Sequence, residues 1–207
     1  MSSIETQLLL SRLLYFPVLA ALATLLLWAL LELGGYSAEC LERRRRRRHW
    51  DEFAEKLIAA KPEDARRAAA SFFERSDYPG FVAVFARKGA RLADSPAHLG
   101  KLVAEIEIDA THGYLRMNLG VRLGPALGLI GTLIPMGPAL LGLSAGDVGG
   151  IADNLAAAFT TTILGLGVSS LCYFISVGRR HWYARDLSDI EHVQHFLGQP
   201  HALQEAP

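Results

Sequence analysis

Apolar positions in this chain are gathered into three blocks, with nearly all the charge lying between them. Residues 13–31, 123–146 and 154–178 contain no Asp, Glu, Lys or Arg. At 1.5 Å per residue the first block reaches roughly 28 Å, close to the hydrocarbon thickness of a bilayer. The other two are long enough to cross with some tilt. Lipid offers no partner to a charge or to an open backbone group, so runs of this kind predict membrane-spanning helices. The fold class expected is all-α: three transmembrane helices with a helical cytoplasmic insertion, and helices that extend out of the membrane.

Between the first two blocks, residues 38–73 and 81–118 are rich in Ala, Leu, Glu, Arg and Lys, which favour helix. Ser76-Asp-Tyr-Pro-Gly80 reads as a turn separating them. Asp94-Ser-Pro96 reads as a second break, with Ser95 placed to cap a helix that starts at Pro96. From there Leu99, Leu102, Val103, Ile106, Ala110, Gly113 and Met117 recur at spacings of three and four and mark one helix face. No Gly-Pro cluster interrupts the chain before residue 123, so one long helix is expected to run straight into the second span. The resulting division is 1–34 for the N-terminal segment and first span, 35–121 for the cytoplasmic helical region, 122–178 for spans two and three, and 179–207 for a cytoplasmic C-terminal tail.

Charge sets the orientation. Arg43, Arg44, Arg45, Arg46, Arg47 and Arg48 form an unbroken run after the first span, and Arg179 and Arg180 close the third. The connection 144–150 carries no basic residue. Keeping the basic flanks in the cytoplasm places the N-terminus outside, the loop at Asp147 outside and the tail inside. Of the 21 Lys and Arg residues, Arg12 alone then lies outside. The arginine run is read as topogenic and as a contact for lipid headgroups. The formal net charge of zero points to no nucleic-acid partner.

Candidate chemistry is sparse. Cys40 and Cys172 are too few for a disulfide framework or a zinc site. A cleaved signal is not expected, because the basic run follows the first apolar block, and Glu39 stands before Cys40 where a lipid-anchored cysteine needs a small residue. His192 and His195 lie one turn apart but lack partners, so no metal, no cofactor and no enzymatic activity are expected. Span two places Gly124, Gly128, Thr132 and Pro135 on one face, where small residues let backbones approach and proline removes a helix hydrogen bond. Span three carries a stripe of Ala158, Thr162, Gly165, Ser169, Cys172 and Ser176. The stripe suits helix packing, with hydroxyls bonded back to carbonyls. It equally suits a pore lining, since a hydroxyl both donates and accepts. Periodicity leaves the two readings open.

Two motifs go further. Gly128-Leu-Ile-Gly-Thr132 resembles the Gly-Leu-Leu-Gly-Thr segment of ExbB and TolQ, and Ala158-Phe-Thr-Thr-Thr-Ile-Leu-Gly-Leu166 resembles their span-three segment and the corresponding helix of MotA. The similarity to the MotA/TolQ/ExbB proton channel family is closest over residues 116–180. It implies a homopentamer around two copies of a single-span partner whose essential Asp takes and releases the ion, with Thr132 and Thr162 on the ion path. The chain departs from ExbB and TolQ at Ala157, where they often carry a glutamate, and at Pro135-Met-Gly-Pro138. The implied function is the ion-conducting subunit of a motor driven by the proton-motive force in the inner membrane. A non-conducting membrane scaffold and a small transporter subunit are the alternatives.

Overall fold

The computed structural model describes residues 3–59, 64, 67, 69–75, 77–92 and 95–198. Ser76 of the first turn, Asp94 of the second break, residues 199–207 of the tail and the side chain of Arg12 lie outside the described residues. Four α-helices are fully delimited among the described residues: α1 (Ser3–Ala59), α2 (Gly80–Gly89), α3 (Pro96–Ala145) and α4 (Val148–Gly198), with a 3-10 turn at Ser71–Glu74. No strand occurs among the described residues, and the fold is all-α. Three of the helices are long and apolar enough to cross a membrane.

Local chemistry explains the helix ends. Pro96 opens α3 with no N–H to leave unsatisfied, and the Ser95 carbonyl accepts from the amides of His98 and Leu99, each at 3.1 Å. The Ser95 hydroxyl does not cap; it pairs with His98 Nδ1 at 2.7 Å. Helix α3 continues unbroken through Pro125, Pro135 and Pro138. It stops at Gly146, whose φ of +75° only glycine adopts cheaply. There the Asp147 amide reaches back to the Gly142 carbonyl at 3.0 Å, the 6→1 closure of a Schellman end. Asp147 then starts α4 as its N-cap, accepting from the Gly150 amide at 3.0 Å.

The chain divides into two compact units, and α1, α3 and α4 each contribute to both. The first unit comprises the residues up to Gly34 together with Leu115–Val177, so residues 115–121, grouped by sequence with the insertion, pack with the spans. Its centre is small: Ala29, Val168 and Cys172 are buried, with Leu25, Leu26, Trp28, Val121 and Leu171 around them. At its polar margin Arg116 pairs with Glu32 at 2.8 Å.

The second unit comprises Gly35–Tyr114 and the described residues from Gly178 onward. It has an aromatic core in which Phe72 stacks on Tyr78 at 4.6 Å and meets Trp50, Phe53 and Phe85. The periodic face of α3 closes this core through Leu99, Leu102, Val103 and Ile106, and α4 adds Ile190, Val193 and Leu197. Gly113 lies against the Tyr183 ring. His192 and His195 flank the Phe196 ring.

Candidate functional site

The site begins with glycines. Along α3, Gly120, Gly124, Gly128 and Gly131 follow at spacings of four, four and three, which is one helix face. A Cβ on Gly124 would stand 2.5 Å from the Gly165 carbonyl oxygen and 3.1 Å from the Ser169 nitrogen. One on Gly128 would stand 3.5 Å from the Cα atoms of Gly165 and Thr162, and one on Gly131 would meet Thr161 Cβ at 2.8 Å. Gly120 sits against Cys172 and Trp28. Spans two and three therefore touch backbone to backbone, which side chains of ordinary size forbid. Gly124, Gly128, Gly165 and Ser169 belong to this seam. Ala158 is buried at 3 % exposure, and Pro135 is buried one turn beyond Gly131.

Proline and serine in this seam are chemically linked. Pro125 has no N–H, so the Val121 carbonyl loses its usual helical partner. The Ser169 hydroxyl donates to that carbonyl at 2.8 Å. In a low-dielectric setting an open carbonyl is costly, and a hydroxyl from the neighbouring helix removes the cost. Ser169→Ala is expected to lower the stability of the purified protein by about 1 kcal/mol. Made on a Pro125→Ala background, where the helical bond is restored, the same change should cost little. A thermal-unfolding double-mutant cycle checks this, and equal losses in both backgrounds would refute the link.

The three consecutive threonines of α4 point in three directions, as residues 100° apart on a helix must. Thr161 is buried at 1 % exposure against Gly131 and donates to the Ala158 carbonyl at 2.8 Å. Thr160 is exposed and bonds Ala156 at 2.8 Å. Thr162 is half-buried beside Gly128, and its hydroxyl donates to Ala158 at 3.4 Å. Thr132, one turn past Gly128, is also half-buried and donates to Leu129 at 2.7 Å. Each hydroxyl spends its proton inside its own helix and keeps lone pairs to accept another donor. Thr132 and Thr162 thus flank the glycine seam, while Thr161, which the sequence pattern placed off the stripe, lies within it.

The arginine run is divided by the fold. Arg43 turns inward and forms a fork with Asp186, both bonds at 2.8 Å, and also binds Glu39 at 3.1 Å. Its guanidinium lies over the rings of Trp182 and Tyr183. Asp186 additionally accepts from the Phe81 amide at 3.0 Å, where α2 begins. Burial opposes the charge on Arg43, but the hydrogen bond and charge of Asp186, followed by those of Glu39, outweigh it and raise its pKa. Arg46 and Arg47 pair along the helix with Glu42 and Asp51, while Arg44, Arg45 and Arg48 are exposed. No sequence signal marked Asp186: its partner stands 143 residues away.

A family model described as the MotA/TolQ/ExbB proton channel family matches residues 85–191, more than half of the chain. The chain belongs to this family. No curated protein and no solved structure matches it. Membership and the three apolar helices together make the chain a multi-pass membrane protein with a channel-type role. The match takes in the whole glycine seam and both flanking threonines, and MotA/TolQ/ExbB proteins work with partner subunits in membrane complexes.

Proposed function

We propose that this chain is the ion-conducting subunit of a membrane motor driven by the proton-motive force, and not an enzyme. The reading rests on one observation. Within spans free of Asp, Glu, Lys and Arg, Thr132 and Thr162 present half-buried hydroxyl acceptors beside a rigid glycine seam. A relay across lipid needs a group that titrates. Spans two and three contain no Asp, Glu, His or Lys, so a second protein brings it: a single-span partner with an essential Asp, in two copies inside a homopentamer of this chain. The Thr162 and Thr132 oxygens accept from the protonated carboxyl, and neutralisation removes the cost of moving that side chain past an apolar wall. Each proton falling through 100 mV supplies about 2.3 kcal/mol.

Other features support the assembly. Only 17–28 % of the apolar window of each span is buried within the chain, which leaves broad apolar faces for lipid, sister copies and the partner. The protein lies in the inner membrane with its N-terminus outside and its tail in the cytoplasm, following the basic flanks. Reconstituted with its partner in vesicles carrying a pH-sensitive dye, Thr162→Val is expected to assemble normally and abolish coupled proton flux. Thr160→Val, on another face, should leave flux intact. A non-conducting scaffold draws support from the seam itself, where Gly124, Gly128, Gly165 and Ser169 are spent on packing. That reading gains the field if Thr162→Val behaves as wild type.

A further inference from the structure

The second unit holds a cavity of about 280 Å³ between two helix faces. From α1 it is lined at positions 40, 43, 44, 47 and 50, and from α4 at 181, 182, 185, 186 and 189. These are spacings of one, three and four, so each helix turns a continuous stripe toward the space. The chemistry of the lining is lopsided. Arg43 is neutralised by Asp186 inside the wall. Three guanidiniums then remain, those of Arg44, Arg47 and Arg185, against one carboxylate, that of Asp189. Arg44 and Arg185 make no salt bridge among the described residues, and Arg47 holds Asp51 only loosely, at 3.9 Å. His181 adds a further ring nitrogen. Burial, and then the neighbouring Asp186, push the Asp189 carboxyl up to about 6, against the opposing charges of Arg185 and Arg47. A cavity with a surplus of forked cationic donors from two helices is built to take an anion with several acceptor oxygens.

We propose that this cleft binds one phosphate group, gripped by Arg44 and Arg185 from opposite helices with Arg47 and His181 beside them. The phosphate belongs either to the headgroup of an anionic phospholipid or to a soluble phosphate ester. The lining of α4 begins just after the third apolar run ends at residue 178, so a lipid headgroup is one available source. The proposal gives the arginine run a division of labour. Arg43 builds the wall, Arg44 and Arg47 face the ligand, and Arg45, Arg46 and Arg48 fall on other faces of the same helix. It stands independently of whether the chain conducts ions.

The test uses the full chain in detergent and two probes. Native mass spectrometry reads retention of phosphatidylglycerol against phosphatidylcholine, and thermal shift reads stabilisation by pyrophosphate. Arg44→Gln with Arg185→Gln is expected to weaken binding by about tenfold or more. Arg45→Gln with Arg48→Gln removes the same charge outside the cleft and should change binding by no more than about twofold. Asp189→Asn, which removes the opposing carboxylate, should tighten it, and weaker binding there would count against the proposal. Cleft-dependent retention of phosphatidylglycerol identifies a lipid source, and a cleft-dependent response to pyrophosphate alone identifies a soluble one. Equal losses in the cleft and control pairs, or no binding of either probe, would overturn the proposal.

Discussion

Asp186→Ala is expected to cost the second unit about 3–5 kcal/mol, the range for removing one partner of a buried ion pair. That is a large part of the roughly 5–15 kcal/mol by which a domain is stable. The size follows from what Asp186 holds. Its side chain is 5 % exposed, and both oxygens are engaged, by the Arg43 fork and by the Phe81 amide. Its loss leaves a mostly buried guanidinium with Glu39 as its remaining carboxylate, and leaves the first turn of α2 without an acceptor. The start of α2 is built around this node. Gly80 has φ +53°, and a Cβ there would run into Arg43 Nη2 and Asp186 Oδ2. Exchanging the charges, with Arg43→Asp and Asp186→Arg together, restores the ion pair but not the acceptor for Phe81, so it should recover only part of the loss. Limited trypsin digestion and thermal unfolding of the purified chain measure the effect. A variant as protease-resistant as wild type would show that the node contributes little.

The parts of this molecule that were legible in its sequence are those governed by local periodicity or by solvent. Spans show themselves because lipid excludes charge over the whole length of a helix. The buried face of α3 shows itself because Leu99, Leu102, Val103 and Ile106 repeat at the helical period. The break before Pro96 follows from proline's missing N–H. What periodicity could not supply was the partner of each face. The predicted stripe meets span two at Gly165, Ser169 and Cys172, but among the threonines it is Thr161, one residue before Thr162, that is buried against Gly131. Because a helix turns 100° per residue, a run of three threonines covers most of the circumference, and only the neighbouring helix selects one of them. Arg43 was hidden for a different reason. Six identical residues in a row look like a solvated basic flank, and the acid that draws one of them inward is remote in the chain. Ser169 lay on the predicted stripe. Its role depends on a carbonyl freed by Pro125 on another helix, a relation that exists only once spans two and three are in contact.

The glycine seam yields the second large effect, with its own internal control. Gly165→Ala places a methyl group against the Gly124 carbonyl oxygen and 3.0 Å from Gly128 Cα. Those neighbours are backbone, so no rotamer change can relieve the contact, and the helices must separate. Overpacking of this kind costs about 1–3 kcal/mol, and Gly165→Val should exceed that range and prevent spans two and three from pairing. Gly167, two residues along, has no atom within 4 Å of its would-be Cβ, and neither has Gly137 on α3. At these positions Gly→Ala should be neutral or stabilising by about 0.5–1 kcal/mol, the helix-interior gain. One chemical change thus has opposite signs at positions on the same helix. Thermal unfolding in detergent reads the sign, and native mass spectrometry reads assembly. Separation of the seam also shifts Thr162 relative to Gly128, so Gly165→Ala should depress coupled flux even where the protein still assembles. If Gly165→Ala were as well tolerated as Gly167→Ala, the backbone contact that fixes the two flanking threonines would not exist.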